Sequence, residues 1–159
     1  DIILHEHGPR GGDEINVIRE RDSIREEPVL TRNYGWPIVS NGINYNGTSF
    51  TNLTSMEGTE SPLYFWTPSI APSGMVMLTS DIYDEWTGNL FIGSLRFRYL
   101  ERVELIGNYV YKREKLLDRV GRVREVVQGP DGYLYVGIEN KGVFKIIPSK
   151  VYIENDISE

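Results

Sequence analysis

Two short runs, from Gly88 and from Gly132 and so 44 residues apart, constrain this chain more than anything else in it. Gly88-Asn89-Leu90-Phe91-Ile92-Gly93 and Gly132-Tyr133-Leu134-Tyr135-Val136-Gly137 follow one pattern. Each is followed by a second strand-like run: Leu100-Glu101-Arg102-Val103-Glu104-Leu105-Ile106 after the first, Val143-Phe144-Lys145-Ile146-Ile147 after the second, about 43 residues on. A repeat of about 40–50 residues carrying several short strands is the spacing of β-propeller blades, small antiparallel sheets that bury their faces only against neighbouring blades. Sixteen glycines and ten tyrosines suit strands joined by tight turns. No stretch keeps a helical period beyond about two turns.

The patterning predicts one blade from an innermost strand at Met75 to Ser80, after a turn at Ala71-Pro72-Ser73-Gly74, with further strands at Asn89 to Leu95, Leu100 to Ile106 and Tyr109 to Leu116. Val123 to Gln128, Tyr133 to Ile138 and Gly142 to Ile147 form the next. Ile2 to Leu4 and Glu14 to Ile18 belong to an earlier one. The charged stretch Arg19 to Arg32 reads as a surface loop. Residues 1–150 are thus expected to form about three blades of an all-β propeller, and residues 151–159 an acidic, frayed tail. Propellers close with at least four blades, and open blade edges favour association. We therefore expect the segment to sit against an amino-terminal half of the propeller or a second copy of itself. The opening on Asp1, without methionine, is how a processed or excised segment begins.

A net charge of −6 argues against a nucleic-acid partner, which favours a basic surface. The chain has no cysteine, hence no disulfide framework and no thiolate metal site. No apolar run approaches the ~20 residues of a membrane span.

The sharpest local signal is His5-Glu6-His7-Gly8-Pro9-Arg10-Gly11-Gly12-Asp13-Glu14-Ile15-Asn16. Glycines at 8, 11 and 12 let the backbone turn tightly and bring carbonyl oxygens towards a common point, and oxygen-rich turns beside carboxylates suit calcium. His5 and His7 alternate, so a transition-metal site is a second reading. A structural turn with solvated charges is the third.

Glu6 to Asn16, followed by Asn33-Tyr34-Gly35-Trp36-Pro37, resembles the paired signature of the PQQ-dependent soluble aldose sugar dehydrogenase and glucose/sorbosone dehydrogenase family. Further runs resemble that family in its own order: Gly42-Ile43-Asn44-Tyr45, Pro68-Ser69-Ile70-Ala71-Pro72-Ser73-Gly74-Met75, Gly88 to Leu95, Arg122-Val123-Arg124 and Gly129 to Val136. The resemblance covers almost the whole chain and identifies it as the carboxy-terminal half of a six-bladed propeller with PQQ over its top face. It implies that backbone oxygens of Gly8 and Pro9 hold the calcium bridging to the cofactor, and that Glu14 and Tyr34 belong to a separate structural calcium site. It implies cofactor contacts from Tyr45, Trp66, Arg96, Arg122 and Arg124.

PQQ bears three carboxylates and a quinone, so a pocket for it needs fixed cations, and arginine supplies planar forked donors. On a strand Arg122 and Arg124 share a face. Without the resemblance they read as two solvated arginines, Tyr45, Trp66 and Trp36 as core aromatics, and Arg96, Arg98 and Arg102 as an exposed basic strand face.

The resemblance implies oxidation of an aldose at its anomeric carbon with hydride passing to the quinone, calcium as Lewis acid, and a histidine base in the amino-terminal half. Neither His5 nor His7 matches that base, so no catalytic residue is assigned in this chain, which alone is expected to be inactive. It further implies export to the periplasm or secretion. Two departures stand out: the segment between Asn16 and Asn33 is about ten residues longer than in compact relatives, and Glu125 replaces an aspartate. A non-catalytic extracellular binding module and a self-associating scaffold remain the alternative functions.

Overall fold

A computed structural model describes residues 1–19, 32–107 and 109–149. Two of the expectations above, the loop at 20–31 and the tail at 151–159, lie outside them. The chain divides into two compact units, Asp1–Pro72 and Ser73–Glu159.

In the first unit, β1 (Ile2–Glu6), β2 (Asp13–Ile18) and β3 (Tyr64–Trp66) form an antiparallel sheet in that order. Glu6 stands opposite Glu14, Leu4 opposite Asn16, and Asp13 opposite Trp66. Alternation along β2 therefore sends Asp13 and Ile15 to one face, and Glu14 and Asn16, beside Glu6, to the other. β3 was not expected from the sequence; three residues are too short for periodicity to register.

In the second unit, β4 (Pro72–Met77, its proline being the last residue of the first unit), β5 (Leu90–Ser94), β6 (Leu100–Ile106) and β7 (Tyr109–Leu116) form a four-stranded antiparallel sheet. β8 (Val123–Gln128), β9 (Leu134–Ile138) and β10 (Gly142–Lys145) form a three-stranded one. The repeat in the sequence is a repeat in space: β5 and β9 are each second in their sheet, β6 and β10 each third. Leu78, Tyr83, Phe91 and Leu100 pack against Val123, Val126, Leu134, Val136 and Ile138 in one core. This is how blades lacking a second layer of their own become stable. Val123 and Val126 both reach that core, although three apart, because a bulge interrupts the register between Val123 and Glu125.

Two expectations are corrected. The innermost strand begins at Pro72 rather than Met75, because proline is tolerated as a first strand residue. Gly74 lies within it, where a side chain would run into Glu125 and the main chain of Val126. Arg102 is not on an exposed face: it is buried, bonded through Nε to Asn89 Oδ1 (2.8 Å) and through Nη1 to Glu114 Oε2 (2.7 Å), and lies over the Trp86 ring.

Tyr83 ties the second unit together. Its buried hydroxyl accepts from the main-chain N–H of Leu134 (2.7 Å) and donates to the carbonyl of Ile146 (2.8 Å). Tyr83→Phe keeps the ring stacked on Trp86 but strands a buried donor. It is expected to cost about 2 kcal/mol, read as a lower urea midpoint at unchanged m-value; an unchanged midpoint refutes the assignment.

Candidate functional site

The turn between β1 and β2 is built around Asp13, whose side chain is fully buried. Oδ1 accepts from the N–H of Gly8 (2.9 Å), and Oδ2 accepts from the hydroxyl of Ser69 (2.6 Å) and the N–H of Ala71 (2.9 Å). One carboxylate thus fixes both the Gly8–Pro9 turn and the segment after β3. Glycine is required here. A Cβ on Gly8 would overlap the carbonyl of Gly11, and Gly12 has φ +72° with its Cβ position 2.6 Å from the nitrogen of Gly42. Arg10 pairs with Ile43 through two main-chain bonds, which places the Asn44–Thr48 turn and Tyr45 beside the glycine-rich turn. Tyr45 and Trp36 are exposed, 79% and 62%, whereas Trp66 is enclosed in the core at 3%. The aromatic trio thus divides into two surface rings and one core ring.

Glu14 and Tyr34 line one cleft of about 120 Å³ together with Glu6, His7 and Gly8. Burial holds the Glu14 carboxyl above its ordinary range; the hydrogen bond from Asn41 opposes this and the charge of Glu6 adds to it. Tyr34 donates to the carbonyl of Val17 (3.1 Å). Asn16, fully buried on the same face, gives its Nδ2 to Glu6 Oε1 (2.7 Å) while its Oδ1 has no hydrogen-bond partner. Two facing carboxylates, one of them desolvated, and a nearby unsatisfied amide oxygen are the kind of oxygen groups that a hard cation would need. Among the described residues no group of three or more His, Cys, Asp or Glu side chains is gathered to hold a metal. Amide, carbonyl or water oxygens would have to complete the shell. The histidine-ligated reading has no such cluster behind it, and His7 Nε2 donates to the carbonyl of Pro72 (2.6 Å).

In the second unit Arg122 and Arg124 do come together, on a residue the sequence reading missed. Glu139 accepts a hydrogen bond from Arg124 Nη2 through Oε1 (2.6 Å) and forms an ion pair with Arg122, whose Nε lies 3.0 Å from Oε2. Its carboxyl is held below the ordinary range, chiefly by the Arg124 hydrogen bond and then by the charges of Arg122, Arg124 and Arg98. The hairpin register carried the signal: Val123 stands opposite Ile138, so Arg122 falls opposite Glu139. Arg96 and Arg98 project from the β5–β6 turn, with the Arg96 guanidinium 5.2 Å from the centre of the Phe97 ring. Gly8, Pro9, Glu14, Tyr34, Tyr45 and Trp66 belong to the first unit, and the arginines to the second.

Blade-like antiparallel sheets, with an acidic cleft in the first unit and an ion-paired arginine couple in the second, define a propeller segment. The chain belongs to the glucose/sorbosone dehydrogenase family, whose description, "Glucose / Sorbosone dehydrogenase", matches residues 1–146. It is 42% identical over 138 residues to the aldose sugar dehydrogenase of Escherichia coli K12, covering 85% of this chain and 34% of that protein. Among solved structures, it is similar to a glucose dehydrogenase (TM-score 0.78, 40% identity, 91% of this chain and 40% of that one). It is also similar to the apo form of the soluble E. coli aldose sugar dehydrogenase (TM-score 0.76, 39% identity, 90% and 39%). The PQQ-bound aldose sugar dehydrogenase of Streptomyces coelicolor shares the fold (TM-score 0.55, 24% identity, 88% and 35%). The chain is therefore all-β and part of a propeller, and spans between a third and two-fifths of the length of these relatives.

Proposed function

We propose that the protein carrying this chain is a PQQ- and calcium-dependent aldose sugar dehydrogenase, acting outside the cytoplasm at the anomeric carbon of its substrate, and that these residues are its cofactor-holding part. The observation that carries the reading is the arginine pair shared on Glu139 in a chain of a sugar dehydrogenase family. When bound, PQQ supplies a two-electron quinone acceptor and calcium a Lewis acid.

The chain's own residues bind and orient. In the second unit Arg122, Arg124 and Arg96 present guanidinium donors to ligand carboxylates; in the first, Tyr45 and Trp66 are assigned as cofactor contacts. The carbonyls of Gly8 and Pro9, on the turn that Asp13 fixes, would hold the cation that acts with the cofactor. Glu14 and Tyr34, with Glu6 and the unsatisfied oxygen of Asn16, are assigned to a second. No side chain here is assigned to move the sugar's hydroxyl proton. His7 is engaged by Pro72, so the base is placed outside these residues, and this segment alone is expected to be inactive.

The test is a dye-linked assay on the protein at its full natural length, with PQQ and calcium added and then withheld. We expect dye reduction with an aldose that depends on both additions. PQQ binding without turnover of any aldose, or no PQQ binding at all, would instead favour the binding-module reading.

A further inference from the structure

We infer that Glu139 is a positioning residue of the anion site: its carboxylate bridges Arg122 and Arg124 and holds both guanidinia at the spacing that receives a ligand carboxylate. The inference rests on the reading that this pair clamps PQQ. Glu139 opens the tight turn between β9 and β10, where its N–H donates to the carbonyl of Arg122 (2.9 Å) and Lys141 N–H closes the turn on Ile138 (3.0 Å). The backbone thereby fixes the root of the side chain, and the two arginines hold its carboxylate. Oε1 accepts the Arg124 Nη2 hydrogen bond and Oε2 faces Arg122 Nε in an ion pair, one oxygen to each arginine. A guanidinium has five N–H donors, so each arginine keeps most of its donors for a ligand.

Both arginine side chains are nearly half exposed, 46% and 49%. Among the described residues, Glu139 is the carboxylate that either of them pairs with. Two long side chains left to themselves would have to be ordered by the incoming ligand, which weakens binding; a brace orders them beforehand.

The same carboxylate also repels an anionic ligand, so two opposed effects must be weighed. The charge of Arg98 reaches Glu139 as well, and Arg96 stands on the same turn as Arg98. That end of the unit stays net cationic with Glu139 in place. Solvent and salt screen the residual repulsion at so exposed a position, whereas the lost ordering is not screened. Preorganisation therefore wins, and removing the negative charge weakens the binding of an anion.

The measurement is the dissociation constant for PQQ, titrated into calcium-loaded apoprotein at its full natural length and followed by fluorescence quenching, with thermal melting as the fold check. Glu139→Gln is expected to bind PQQ about tenfold more weakly while still melting cooperatively, with only a small fall in melting temperature, since an amide offers one acceptor oxygen to two cations. Glu139→Asp keeps the charge with a shorter reach and is expected to recover at least half of that loss. Arg122→Ala is measured alongside. If Arg122→Ala weakens binding while Glu139→Gln leaves it equal or tighter, Glu139 is a competitor and the inference is overturned with the PQQ reading intact. If Arg122→Ala changes nothing, the PQQ reading itself fails. Should the glutamine variant not fold, the aspartate variant decides: two- to fivefold weaker binding supports the brace, and unchanged binding overturns it.

Discussion

Asp13→Ala is expected to cost about 4 kcal/mol of stability and to remove cation-dependent PQQ binding, although residue 13 is assigned no contact with either ligand. The wild-type carboxylate is fully buried and satisfies three donors, the main-chain N–H groups of Gly8 and Ala71 and the hydroxyl of Ser69. Truncation leaves these in a cavity with nothing to accept from them, and each buried donor without a partner costs about 1–3 kcal/mol. Ser69→Ala, which removes one donor and leaves the carboxylate its two main-chain bonds, should cost only about 1 kcal/mol. Asp13→Asn is the sharper control. It keeps size and burial but places an N–H₂ against at least one N–H donor, so most of the loss should persist. Urea titration of all three variants, with calcium and PQQ titrations on those that fold, tests the ranking. A wild-type-like midpoint for Asp13→Ala would remove Asp13 from the centre of this turn. Loss of stability without loss of PQQ binding would detach the turn from the cofactor.

That role for Asp13 could not be read from the sequence. The Gly11-Gly12-Asp13 run announces a tight turn, but the partners Ser69 and Ala71 lie 56 and 58 residues away. Long-range hydrogen bonding leaves no periodic trace. Local order is different: β6, β7 and β8 begin and end where the sequence pattern and the flanking turns put them, because strand limits are set by local backbone propensity. β4 was displaced because the Pro-Ser-Gly composition at 72–74 reads as a turn, whereas here the proline starts a strand and the glycine admits Glu125 and Val126. Arg102 was misjudged for a related reason. A buried arginine needs particular carboxylate and amide partners, Glu114 and Asn89, on neighbouring segments, and strand pattern alone does not reveal them. Glu139 lay between these cases, since pairing the two strands by register would have placed it opposite Arg122.

Replacing Arg122 and Arg124 together by alanine is expected to weaken PQQ binding by about 10²–10⁴-fold with little change in stability. Each guanidinium contributes charge-assisted hydrogen bonds worth about 1.5–3 kcal/mol to a carboxylate partner, and a tenfold change in affinity corresponds to about 1.4 kcal/mol. Both side chains stand at the surface, where substitutions away from core and caps change stability by about 0.5 kcal/mol or less. The lysine pair separates charge from geometry: it keeps two cations but loses the planar fork, so its affinity should fall between wild type and the alanine pair. A second readout needs no cofactor. In the wild type, Glu139 has a folded-state pKa below its ordinary value, chiefly through Arg124 and then Arg122. The stability this adds is present above the ordinary glutamate range and is lost as pH falls through the depressed folded value. With both arginines gone that acid-side loss should shrink, so the melting curves of wild type and double variant should converge on acidification. Convergence together with unchanged PQQ affinity would leave the pair as a structural brace and move the anion site elsewhere. Weakened affinity with parallel melting curves would instead show that the arginines serve the ligand and that their pairing with Glu139 adds nothing to the fold.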